Sequence, residues 1–235
     1  MKCASSVLAI LFLALFLNIS GPSAADAQEV LRQELEQIMD GSQVLRTKTA
    51  TEVTGSPYFN TKFVKGEIIL NENSSTQPIL LRYNMEDNMI EFRRNNETLV
   101  TDAKKISGFK IYTQEEDIIF KNGFSADVKG INQNTLLRVV YNGNIKLLAH
   151  HSASLKEDLA TYATATKKSK YVQRMDYYLV KKGKFHKVKL RKKDIMKHLS
   201  ASSDDIESYV EENGLGFESE TDLKKILNRY DGDSS

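Results

Sequence analysis

The chain has 235 residues, enough for one well-cored domain with or without a small appendage. Its composition, 40% hydrophobic and 27% charged, is ordinary for a globular protein, and a net charge of +2 excludes whole-molecule steering towards nucleic acid. There is no tryptophan, and the single cysteine is Cys3.

Met1 and Lys2 precede an apolar run over residues 7–17, about 11 residues, against the roughly 18 to 20 that a membrane-spanning helix needs. Asn18, Gly21 and Pro22 break that run, and Ala25-Asp26-Ala27 supplies a small-x-small cleavage pattern. Residues 1–27 are therefore expected to be a secretory signal peptide cut before Gln28, or after Ala25. Cys3 lies ahead of the apolar run, so it is not a lipoprotein anchor, and the mature chain has no disulfide. The expected address is periplasmic or secreted, with no transmembrane segment in the mature chain.

Residues 28–57 are expected to be an arm. Leu31, Leu35 and Ile38 place a short amphipathic helix over 28–40, with Gly41 as its stop, and a polar, Thr-rich connection leads to about Pro57. Residues 58–191 read as an antiparallel β domain. Strand patterns fall at 63–70, 79–83, 89–93, 98–101, 109–112, 117–120, 135–141 and 145–150. A last hairpin pairs 171–180 with 185–190 around Lys182-Gly183, and Asn122-Gly123 and Asn142-Gly143 are tight-turn signals. Strands linked by short turns without helices imply antiparallel order, so the expected fold is α+β but mostly β, a meander forming a curved sheet or open barrel. Residues 192–235 change period. Ile195, Met196 and Leu199, then Ile206, Tyr209 and Val210, then Leu223, Ile226, Leu227 and Tyr230 mark three short helices packed on the sheet. Ser203 and Ser219 are expected N-caps and Gly214 an expected C-cap.

Gly55-Ser56-Pro57-Tyr58-Phe59-Asn60 leads into Phe63 and Gly66-Glu67-Ile68, then Leu81-Arg82-Tyr83-Asn84 and Met89-Ile90-Glu91-Phe92. With Tyr177-Tyr178-Leu179 and the segment from Asp222-Leu223 to Tyr230, these residues resemble a family of secreted proteins of Bacteroidota-type bacteria. The resemblance runs from Gly55 onward and is weakest at 161–166. It implies a signal peptide, a β-rich body and short C-terminal helices; the family has no assigned activity, so it implies nothing about chemistry.

No catalytic constellation, cofactor motif or metal site is legible. His150 and His151 adjoin on a strand, where neighbouring side chains point to opposite faces, and His186 and His198 lie among lysines that repel a cation. There is no Gly-x-Ser-x-Gly elbow, and the carboxylates Glu86-Asp87 and Glu115-Glu116-Asp117 fall in expected turns. The one suggestive feature is basic. With 185–191 extended, Lys187, Lys189 and Arg191 share one face, and Lys181, Lys182 and Lys184 extend the row at the turn. Such a row suits anionic lipid or acidic glycan, whereas the acidic residues from Asp194 onward, through Asp204 to Asp222, are available to neutralise it. The expectation is a non-catalytic envelope module acting through protein contacts. The alternatives are an anion-binding module using this hairpin, and a hydrolase whose site the sequence does not mark.

Overall fold

The structure, a computed structural model, describes residues 53–95, 97–157, 169–199 and 203–233, together with Gln33 and Glu36, both helical. The expected signal peptide and nearly all of the expected helix at 28–40 lie outside the described residues.

Twelve strands form one sheet. β2 (Val64–Asn71), β4 (Ile79–Asn84), β5 (Met89–Arg94) and β6 (Glu97–Asp102) make a first antiparallel meander, with the two-residue β3 (Ser74–Ser75) turned back on β2. A single 3-10 turn, Ala103–Lys105, then returns the chain to the other edge of β2, where β7 (Gly108–Ile111) pairs. From there β8 (Ile118–Lys121), β9 (Leu137–Asn142), β10 (Ile145–Glu157), β11 (Ser169–Lys181) and β12 (Lys184–Val188) continue antiparallel in chain order. β1 (Val53–Thr54) lies parallel beside the start of β11.

The sheet is thus mixed and open, and the expected single meander is corrected to two meanders joined along β2 and β7. Reading hairpin by hairpin links only sequence neighbours. The return is held by the Ser107 amide donating to the Ile69 carbonyl (2.8 Å) and the Ser107 hydroxyl donating to the Leu70 carbonyl (3.0 Å). Gly66 permits the join, because a Cβ there would sit 2.1 Å from the Lys110 carbonyl oxygen. The Lys182-Gly183 hairpin forms as expected, with φ of 50° and 76° at the two turn residues. Asn142-Gly143 also joins two strands, whereas Asn122-Gly123 opens the long connection between β8 and β9 instead of a tight hairpin.

Alternation decides which side chains enter the core. Ile68, Leu81, Tyr83, Ile90, Phe92, Phe109 and Phe120 point inward from the first half and are buried together. Phe109 and Phe120 stack with centroids 4.6 Å apart, and the Tyr83 ring lies 5.3 Å from each. In the second half, Leu147, Ala149, Leu179 and Val188 face three helices: α1 (Lys192–Met196), α2 (Ser203–Glu212) and α3 (Glu220–Asp233). These meet the sheet through Ile195, Leu199, Ile206, Leu223, Ile226 and Leu227, the residues of the three apolar stripes. Ser219 accepts from the Asp222 amide, and Gly214 (φ 60°) ends α2, with the Leu215 amide donating to the Val210 carbonyl. On the opposite face Leu148, Tyr178 and Val180 are covered by Phe124, Val128 and Ile131 of the β8–β9 connection. Being covered on both sides, β10 carries the near-continuous apolar run Ile145 to Ala149, broken only at Lys146.

A strap crosses between the two meanders. Gly55 to Asn60 runs from the edge of β11 to the end of β4, where the Phe59 amide donates to the Tyr83 carbonyl and the Met85 amide to the Pro57 carbonyl (both 2.9 Å). Gln173 Nε2 donates to the Ser56 and Tyr58 carbonyls from the β11 side, and the Phe59 ring plugs the interior against Phe120 and His151. Tyr58 is pinned outside by a buried carboxylate: its hydroxyl donates to Glu91 Oε1 (2.7 Å) and Arg82 Nε donates to Glu91 Oε2 (2.7 Å).

Candidate functional site

The six cations singled out in the sequence do not form one row. β12 ends at Val188, so Lys189 and Arg191 lie beyond the strand and only Lys187 projects from its outer face. Lys181 is drawn under the helices, donating to the Tyr230 hydroxyl (2.7 Å) and to the His198 carbonyl (3.1 Å). Lys187 bonds Asp176 at 2.8 Å, a bond that raises its ammonium above the ordinary value. Arg191 bonds Asp194 at 3.0 Å and holds that carboxyl below its usual range, and the Lys189 amide donates to the same carboxylate. Lys182 and Lys184 remain exposed at the hairpin tip. Of the acidic residues that follow, Asp194 at the start of α1 thus takes Arg191, and Glu207 of α2 takes Lys192, outside the six, at 3.0 Å.

The early end of β12 leaves a second feature. β10 pairs with β11 along its whole length, so all other partners of β11 share its opposite edge. There β1 occupies Ser169 and Lys170, and β12 occupies Tyr177 to Lys181. No described strand pairs between them. A Cβ at Gly55 would lie 2.9 Å from the Tyr171 carbonyl oxygen, so that carbonyl points to this edge. By the two-residue repeat the backbone groups of Gln173 and Met175 point the same way. Strap and Gln173 side chain occupy the Tyr171 end, which leaves about four residues, Gln173 to Asp176, or roughly 14 Å of edge.

A groove of about 640 Å³ runs along that edge, lined by Met175, Asp176, Tyr177, Lys187, Val188 and Leu190, with Lys189 and Asp194 at its end. Its two sides differ. Met175, 46% exposed, shares the inner face with Tyr177 and Val188. Arg174, Asp176 and Lys187 lie on the outer face, with His150 paired opposite Asp176.

Behind the groove an ionic network joins sheet to helices. Arg138 of β9 makes a two-pronged ion pair with Glu220 at the start of α3, with NH1 to Oε2 at 2.8 Å, and Tyr177 donates its hydroxyl to the same carboxylate. Burial works against the Glu220 carboxylate, but Arg138 and Tyr177 outweigh it and hold the group ionised below its ordinary range. Arg138 Nε donates to His151 Nε2 (3.1 Å), which makes that ring neutral with its proton on Nδ1. Burial, then the Arg138 charge, depresses His151 to about 4. As expected for adjacent strand residues, His151 faces the interior and His150 the outside. The legible signal for this network was Arg138 itself, an arginine inside the apolar run Leu136 to Val140; its partner, 82 residues away, had none.

His186 and His198 stack on each other with centroids 4.5 Å apart. Among the described residues no three His, Cys, Asp or Glu side chains gather as a metal-binding group, and no described helix is long and apolar enough to cross a membrane. No family model matches the chain, and no curated protein or solved structure does either.

Proposed function

We propose that the chain is an exported envelope protein acting as a non-catalytic binding module through protein contacts, and that the edge of β11 between β1 and β12 is its contact surface. The observation that carries this reading is the gap itself. Proteins protect strand edges with charge, bulges or covering elements, and a stretch with no described strand partner beside an exposed methionine is the form that accepts another chain. The stretch is short and flanked by paired ends, which favours one docked segment over open-ended aggregation. The anion-surface alternative keeps the hairpin tip, where Lys182 and Lys184 face solvent, but the other four cations are tied by side chain or backbone to groups of the same chain.

The test is site-specific photocrosslinking in intact cells of the protein's own host, with the full chain carrying its leader. A photoreactive residue at position 175 should give a discrete protein adduct in the envelope fraction, while one at Glu115, exposed and not part of the groove's lining, should not. Equal adducts at both positions, or none at 175, would remove the reading.

A further inference from the structure

The two faces of the edge differ in chemistry, and that difference specifies an occupant. A strand added to β11 sends alternate side chains to opposite faces of the sheet. On the inner face it meets Met175, Tyr177, Val188 and Leu190. On the outer face it meets Arg174 and Lys187, and at the groove's end Lys189. The two carboxylates beside the groove are already engaged, Asp176 by Lys187 and Asp194 by Arg191, so four cations stand against two carboxylates. Resting on the binding-module reading above, we infer that the β11 edge takes an extended segment of a partner protein in which apolar residues alternate with acidic ones. The apolar side chains lie on Met175 and Tyr177, the acidic ones reach the side chains of Arg174 and Lys189, and the backbone bonds Gln173 and Met175.

Strand pairing gives this occupant a directional signature. An antiparallel partner aligned with Met175 exchanges both backbone bonds with it and places its side chain on the same, inner face. In that orientation the amides aimed at β11 belong to the partner's apolar residues. In a parallel partner the amides aimed at β11 belong to residues whose side chains lie on the outer face, the acidic ones.

The test uses the full-length mature protein and the peptide acetyl-Glu-Val-Glu-Val-Glu-Val-amide, followed by backbone amide NMR. The peptide should shift the Gln173 and Met175 amides saturably, and its lysine-for-glutamate counterpart should bind at least tenfold more weakly. Two further peptides carry N-methyl groups on all valines or on all glutamates. One of them should lose at least tenfold in affinity and the other should keep it, and the loser reports the orientation. Arg174→Glu with Lys189→Glu should reverse the preference between the acidic and basic peptides. Equal binding of both N-methylated peptides overturns strand addition, and equal binding of the acidic and basic peptides overturns the acidic partner. Absence of any binding alongside a position-175 crosslink in cells overturns this inference while leaving the binding-module reading standing.

Discussion

Acidification from pH 7 to pH 5 should weaken the fold through His151 alone by about 2 kcal/mol. In the folded chain the His151 ring lies among Phe59 and Phe120, with centroids 4.9 and 5.8 Å away, and its Nε2 accepts from Arg138. A second proton would set two donors and two positive charges face to face. The unfolded ring takes that proton near pH 6.5, the folded one at about 4. The unfolded state therefore binds more protons throughout this window, so stability falls as pH falls, by at most ~1.4 kcal/mol per pH unit and by about 3 kcal/mol in all below pH 4. Glu220 contributes in the same direction but lower down: its depressed carboxyl stabilises fully above the ordinary value of 4.5 and is lost only beneath it. His150 and His198 are also depressed by burial and add to the wild-type slope, so the comparison needed is with His151→Gln, which still accepts from Arg138 and does not titrate. Urea unfolding at pH 7, 6 and 5 should show the difference in stability between wild type and variant shrinking or reversing by about 2 kcal/mol on going to pH 5. Parallel pH profiles for the two proteins would refute the assignment of His151 as a neutral, half-buried acceptor.

Two other substitutions probe the frame. Glu220→Gln leaves the Arg138 charge partly buried without its counter-ion and should cost about 2 to 3 kcal/mol, below the value for a fully buried pair because both side chains retain some exposure; its readout is the urea midpoint at pH 7. Gly66→Ala drives a methyl into the Lys110 carbonyl where the two meanders join, and should lower stability by about 2 kcal/mol or more; an unchanged midpoint would mean that β2 and β7 are not held as described.

Local order was legible because it is encoded locally. The strands around Leu81, Phe92 and Leu179 and the helices through Ile195, Ile206 and Ile226 follow from alternation and from stripes that neighbouring residues carry in full. Three features were not legible, and each depends on distant partners. β7 leaves its predecessor for β2 because Gly66 lets it approach, a choice visible only once both are placed. Val53 and Thr54 belong to the sheet although their partners, Ser169 and Lys170, lie more than a hundred residues later. The basic row failed on one local detail: alternation was extended through Lys189 and Arg191, whereas Asp194 accepts from the Lys189 amide, pairs with Arg191, and turns the chain into α1 after Val188. The stretch of β11 that no described strand pairs follows from that same early turn.

The strap has a consequence for how the molecule assembles. Phe59 completes the interior of the first meander, and the segment that carries it is held both by β4 and β5 and by Gln173, 115 to 117 residues further on. Closing so large a loop has to come before those bonds give anything back, and folds dominated by such distant pairings are slow. A chain emerging from its N-terminus can build β2 to β7 early and seat the strap on β4 and β5, but the strap's β11 anchor forms only once that strand has been made. The first half of the sheet is therefore begun near the start of the polypeptide, its strap is held at both ends only by the last third, and folding should end with the strap's attachment to β11.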